Sequence, residues 1–205
     1  MCLVASGGHS HIVSVERYGA YKMLGRTTDD AAGEAFDKAA RVLNIPYPGG
    51  PLLDKLAEEG NPEAYRFPKI HTEGKYDFSF SGLKTAVINQ AHMLRQKGEE
   101  IRVADWSASL RKAVVDMLVD KTLAACRDTG AKSVALAGGV ASNRLLRREM
   151  ERRGTKMGLK VYMPPVALCT DNAVMIGSAA FYRLMTDEPA PLSLNAQPSI
   201  RLIEE

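Results

Sequence analysis

The 205 residues carry 27 Lys and Arg against 24 Asp and Glu, with 45% hydrophobic and 25% charged residues. A chain of this size buries one core, as a single domain or as one lobe of two, and the composition is ordinary for a soluble globular protein. No run of about 18 apolar residues occurs, so no membrane-spanning segment is expected, and a net charge of +3 is too mild to announce a nucleic-acid partner by itself.

Cys2, Cys126 and Cys169 are odd in number and scattered, which reads as reduced thiols rather than a disulfide framework or a zinc knuckle. Met1 to Val4 run straight into a strand without a charged leader, so a cytoplasmic protein is expected.

Residues 2–6, 11–17 and 21–26 read as three strands with turns at Gly7-Gly8 and Tyr18-Gly19, which predicts an antiparallel meander. From Thr28 the period turns helical. Asp29 or Asp30 is the expected N-cap of a stripe through Ala32, Ala35, Phe36, Ala39 and Leu43. Pro48-Gly49-Gly50-Pro51 stops that helix and starts another, with Pro51 at its first position and Gly60 at its end. Residues 61–79 read as irregular. Ser81 opens a helix to about Lys97, and Asp105 or Ser107 is expected to cap a long amphipathic helix that ends at Gly130. A strand over 133–137, a second glycine turn and a helix from about Ser142 follow. The chain then reads as a strand at 161–163, an apolar helix from Asp171-Asn172 to Leu184, and an extended tail after Pro189. Three antiparallel strands followed by interleaved helices and strands describe a mixed α/β lobe. One half of an actin/Hsp70/sugar-kinase type fold has this order, with nucleotide held between the halves.

Two apolar runs end in paired glycines, Leu3 to Gly8 and Val134 to Gly139. Each predicts a buried strand opening into a turn with bare backbone N–H groups, and two such turns can grip one ligand from two sides. Ser6-Gly7-Gly8 joins strand to strand and no Gly-Lys-Ser/Thr occurs, which disfavours a P-loop; the plain alternative is a hairpin turn. Gly138-Gly139 precedes a helix whose dipole faces anything anionic above it. Asn143 offers an amide donor and a carbonyl acceptor to a ribose or an adenine edge, or else caps the helix. Asp30, Glu34 and Asp37 share a helix face that is either solvated or packed near a ligand, and Asp54 lies one turn beyond Gly50 as a hydroxyl acceptor. Asp171 reads as a helix cap or a metal carboxylate. The four histidines show no HxxxH or HExxH spacing, so no metal site of the chain's own is expected. Arg144, Arg147, Arg148, Arg152, Arg153 and Lys156 are dense enough to suggest nucleic acid, although around a helix they read as a solvated face.

Taken together, VASGGH (4–9), DDAAGEAFDK (29–38), YPGGPLLDKLA (47–57), DFSFSGLKTA (77–86), ALAGGVASNRLLR (135–147) and CTDNAVMIG (169–177) resemble the TsaD/Gcp family of tRNA N6-adenosine threonylcarbamoyltransferases, in the family's order over nearly the whole chain. The resemblance implies an ASKHA-type α/β fold. Residues 1–188 would be a C-terminal lobe with a helical insertion at about 45–130, and 189–205 a tail. It implies an enzyme that moves threonylcarbamoyl from threonylcarbamoyl-AMP to N6 of the adenosine beside the tRNA anticodon.

By motif match, the backbone of Val4, Ala5, Ser6, Gly7 and Gly8 would line the phosphate and acyl region. Asp37, Gly50 and Asp54 would contact the adenosine portion, joined by Asn143, and Asp171 would ligate iron or zinc acting as a Lewis acid. The implied partners are tRNA and TsaB-like and TsaE-like proteins, with no membrane. The family's first lobe, with its HxxxH pair, is not among these residues. The chain alone is therefore expected to be defective in catalysis, with its mating surface exposed. The rival readings are a TsaD-like carbamoyltransferase for another acceptor, an ATP-dependent kinase of the same fold class, and a non-catalytic scaffold paralogue.

Overall fold

The opening meander forms as its β-branched residues and turns dictate: β1 (Cys2–Ala5), β2 (Ser10–Arg17) and β3 (Ala20–Arg26) pair antiparallel. The computed structural model describes residues 1–186 and 189–196. Four helices follow: α1 (Ala32–Val42), α2 (Gly49–Leu56), α3 (Ser81–Gln96) and α4 (Val103–Thr129). The chain then returns to the sheet as β4 (Ser133–Ala137), passes through a 3-10 turn (Gly139–Ser142) into α5 (Arg144–Lys156), and adds β5 (Lys160–Tyr162) before α6 (Ala173–Leu184). β4 runs parallel to β1, and β5 parallel to β4, giving the order β3-β2-β1-β4-β5.

Leu3 and Ile12 from the sheet, Phe78 and Phe80 from the irregular segment, Trp106 and Leu118 from α4, and Leu146 and Met150 from α5 are fully buried in one core. Each such side chain contributes roughly 1.5–3 kcal/mol by leaving water. α4 ends as expected at Gly130, whose φ of 66° an L side chain rarely adopts.

Helix starts depart from expectation. α1 begins after Ala31 and takes no cap from Asp29 or Asp30; the buried Ser10 hydroxyl accepts the Ala32 N–H at 2.9 Å instead. Asp29 serves another helix. It accepts the N–H groups of Phe80 and Ser81 and the hydroxyls of Ser79 and Ser81, at 2.6–3.1 Å, at the head of α3. Pro48 is the N-cap of α2, which places Pro51 third rather than first, and α2 stops at Leu56. Neither Asp105 nor Ser107 caps α4, which begins at Val103; Asp105 accepts the Asn61 N–H at 2.7 Å.

α6 has no buried residue. Its Ile176 is 63% and Phe181 62% exposed, and Tyr18 fastens it through a bond from its hydroxyl to the Ala179 carbonyl (2.7 Å) and a ring stack on Tyr182 (4.6 Å). Of the expected tail, residues 189–196 hold a turn closed by the Leu194 N–H on the Pro191 carbonyl; 187–188 and 197–205 lie outside the described residues.

Candidate functional site

Because β1 and β4 are parallel, with Val4 opposite Ala137, both glycine turns leave the same edge of the sheet. Open α/β sheets present their ligand-binding loops at the carboxyl ends of such strands. The second turn crosses the end of the first strand. A Cβ on Gly138 would stand 2.3 Å from the Ala5 carbonyl oxygen, and its φ is 88°, so only glycine fits.

The first turn is less bare than its sequence suggests. The Ser6 hydroxyl oxygen accepts the N–H groups of Gly8 (3.3 Å) and His9 (3.0 Å), and the Ser6 N–H donates to the His9 carbonyl. Gly7 and Gly8 are exposed, with nothing within 4 Å of where a Cβ would stand, so the chain's own packing does not require glycine there.

From this turn a continuous line of contacts runs around the sheet edge. The Gly33 N–H at the head of α1 donates to the Ser6 carbonyl at 3.1 Å, and a Cβ on Gly33 would meet that oxygen at 2.7 Å. One turn on, Asp37 Oδ1 accepts the Gly50 N–H at 2.9 Å, pinning the first turn of α2 to α1. At the far end of α2, Asp54 Oδ1 accepts from Asn143 Nδ2 at 2.8 Å. Asn143 Oδ1 in turn accepts the Leu146 N–H at 3.0 Å and so caps α5. The Asn143 N–H donates to the Val140 carbonyl at 3.0 Å, and the 3-10 turn leads back to Gly138, which lies against Ala5 at the end of β1. Ser6, Asp37, Gly50, Asp54 and Asn143, named separately from the sequence, thus lie on one closed circuit.

Of the two readings of Asn143, the structure shows the helix cap. The residue is buried, and its carbonyl and one amide hydrogen are already committed, leaving a single N–H. Asp54 is committed too, to a residue the sequence reading missed. Arg111 of α4, 6% exposed at its side chain, donates to Asp54 Oδ1 at 2.9 Å, to Glu58, and to the carbonyls of Asp54 and Ala57; its buried Nε–H has no acceptor among the described residues. The Arg111 bond holds the Glu58 carboxyl below the usual range. Arg111, set beside the apolar Leu110, Val114 and Val115 of the same helix, was the available signal.

Thr170, the residue before Asp171, lies beside the second turn, its Cγ2 3.7 Å from the position of a Cβ on Gly139. Arg147 fixes the approach, donating to the carbonyls of Ala141 and Pro164 at 3.0 Å each. Asp171 is exposed and does not cap α6, since Asn172 takes the Met175 N–H at 3.1 Å. Among the described residues no three His, Cys, Asp or Glu side chains gather into a group able to hold a metal. Two hollows, of about 440 Å³ against the 62–72 segment and about 430 Å³ between α4 and α5, are lined by none of the circuit residues.

Known proteins resemble the chain in sequence and in fold. A family model described as TsaD, tRNA N6-adenosine threonylcarbamoyltransferase, matches residues 1–178. A protein of that name from Clostridium perfringens (strain SM101 / Type A) is 52% identical over 205 residues, covering all of this chain and 60% of its own length. One from Moorella thermoacetica is 56% identical over 201 residues, covering 98% of this chain and 59% of its own. The chain thus spans about 60% of the length of the curated relatives it matches. Among solved structures, full-length HypF in a phosphate- and nucleotide-bound form superposes with a TM-score of 0.58 at 21% identity, over 78% of this chain and 21% of that one. HypF from T. kodakarensis gives 0.54 at 23%, over 76% and 20%. These likenesses show the fold, an ASKHA-like mixed α/β sheet with flanking helices.

Proposed function

The chain belongs to the TsaD family, and on that premise we propose that it is the nucleotide-holding lobe of a tRNA N6-adenosine threonylcarbamoyltransferase. Residues 1–188 are this lobe, with a helical insertion at about 45–130, and 189–205 a tail. The polypeptide that the relatives carry beyond the matched part would form the other wall of the cleft. The exposed apolar α6 supports a missing neighbour of that kind.

The observation that carries the reading is the closed circuit from Ser6 to Asn143. Threonylcarbamoyl-AMP would lie across it, with its phosphate over Val4 to Gly8, where no side chain intrudes at Gly7 or Gly8. Its adenosine would lie beside α2, where Asp37, through the oxygen not bonded to Gly50, and the free amide hydrogen of Asn143 would meet hydroxyl or base groups. Asp54 would act chiefly by holding Asn143.

In the transfer, N6 of the tRNA adenosine forms a bond to the carbamoyl carbon and the anhydride carbon–oxygen bond breaks. AMP leaves with the electron pair, and the amine's proton passes to water. The Gly7 N–H, which the Ser6 hydroxyl does not take, would meet the charge growing on the phosphate, and no nucleophilic side chain is needed. Asp171 would supply one carboxylate to an iron or zinc ion whose other ligands come from outside this chain. TsaB-like and TsaE-like proteins would be the partners, in the cytoplasm.

The test joins this chain to the part of a relative that the match does not cover, supplies unmodified tRNA and threonylcarbamoyl-AMP, and measures N6-threonylcarbamoyladenosine by mass spectrometry. Product from the joined protein and none from the chain alone is expected. Calorimetric binding of an adenylate analogue without product would point instead to another acceptor. Absence of both would point to a scaffold.

A further inference from the structure

The six basic residues of α5 do not spread evenly. Arg147 turns inward to two carbonyls and Arg153 pairs with Asp116 and Asp120 of α4. Arg144, Arg148, Arg152 and Lys156 remain, at every fourth position, and all four are exposed. Residues four apart form one ridge of a helix, so these cations stand about 6 Å apart along roughly 18 Å of axis. Arg152 has Glu149 at 2.6 Å; the other three have no ion-pair partner among the described residues.

Stability does not explain this row. Like charges four apart weaken a helix by a few tenths of a kcal/mol per pair, and a cation in the first turn opposes the helix dipole. Arg144 occupies that turn, which holds no acid. Beside the ridge lies the hollow of about 430 Å³, lined by Arg111, Lys112, Arg148, Arg152 and Arg153 against three carboxylates. The row also begins where the circuit ends, since the Arg144 N–H faces Asp54 Oδ2 at 3.4 Å.

We infer that this ridge is a phosphate track for RNA, gripping the backbone of the strand whose adenosine enters the circuit. The identity of that RNA as tRNA rests on the proposed function; the track itself rests on the ridge. Guanidinium groups match phosphate oxygens in pairs. Between them stand Glu151 and Thr155 rather than the apolar residues that an anionic membrane surface would require.

The test measures fluorescence-anisotropy binding of labelled, unmodified tRNA to the full chain, from about 50 to 200 mM KCl. R144Q/R148Q/R152Q/K156Q is compared with R17Q/K22Q/K97Q/K132Q, which removes four exposed cations elsewhere. The slope of log K against log salt is expected to fall by about 3 in the ridge variant, since each contact contributes roughly 0.7–0.9, and by less than a third of that in the control. R148Q alone should lower it by about 1. The ridge variant should melt no lower than the unaltered chain, which separates lost binding from lost folding.

An unchanged slope, an equal fall in the control, no binding by the unaltered chain, or preference for anionic vesicles over tRNA would each overturn the track. Modified adenosine formed while ridge variants keep the full slope sinks the track and leaves the transfer reading standing. Loss of slope in a protein that transfers nothing does the reverse.

Discussion

Asn143 Nδ2 donates to Asp54 Oδ1 at 2.8 Å across 89 positions of chain, while Asn143 Oδ1 caps α5 through Leu146. One side chain therefore fixes both the far end of α2 and the head of α5. N143A should cost about 2 kcal/mol in urea unfolding, combining a lost cap with a lost bond to a charged partner. N143D keeps the cap acceptor but sets a second carboxylate against Asp54. Its deficit should be largest near pH 7 and shrink on acidification, because one proton shared by the pair removes the repulsion.

The glycines divide into two kinds. G138A adds a Cβ 2.3 Å from the Ala5 carbonyl oxygen at a φ of 88°, and should destabilise by about 3 kcal/mol or prevent folding. G7A meets nothing within 4 Å and should stay within about 0.5 kcal/mol of the unaltered protein. If the first turn receives a phosphate, G7A should nonetheless weaken adenylate-analogue binding about tenfold by calorimetry. Wild-type affinity in G7A would count against that placement.

Arg111 neutralises two acids from one buried position. R111M leaves Asp54 and Glu58 without their cation and should cost about 3 kcal/mol. The Glu58 carboxyl should then titrate closer to the usual range by NMR, because the Arg111 bond is the main cause of its depression. R111M/D54N should recover part of the loss, measurable as coupling in a double-mutant cycle.

Burial acts to raise the pKa of Asp29, but its bonds from Ser79, Phe80 and Ser81 together outweigh it and hold the carboxyl below the usual range. The stabilisation is fully present above the unfolded value near 3.9 and is lost as pH falls through the lower folded value. D29N should cost on the order of 1 kcal/mol at pH 7, limited by solvent screening at this exposed carboxylate. The gap from the unaltered protein should narrow in urea titrations carried below about pH 4.

α6 should exchange its amide hydrogens faster than α4, since it buries no side chain and α4 lies across the core. Y18F removes the bond to Ala179 and should raise α6 exchange further without moving α4. Adding the segment that the relatives carry beyond this chain should slow α6 selectively, if that segment covers it.

Strand and helix bodies were legible because their signals are local. The meander, the helix from Ser81 and the stop at Gly130 all follow from nearby residues. The starts of α1 and α3 were not, because the partner that decides them is distant: Asp29 serves residues about 50 positions on, and Ser10 caps a helix 22 positions away. Nor does sequence tell which glycines are forced. Gly33 and Gly138 press on backbone, while Gly7 and Gly8, which read as the more conspicuous pair, press on nothing. The family motifs named the circuit residues, and Arg111, which no motif named, holds one corner of it.

The central strand has a kinetic corollary. Cys2 pairs with Val13 nearby and with Ala135 far along the chain, so the second edge of β1 is filled only after four helices have been threaded between. Closing so long a loop early is slow, and a chain dominated by such distant pairings folds late at that seam. The two glycine turns leave the paired strands of that seam, so they come together only when it closes. A nucleotide that binds there would act as a clasp, raising the melting point in proportion to the logarithm of its concentration.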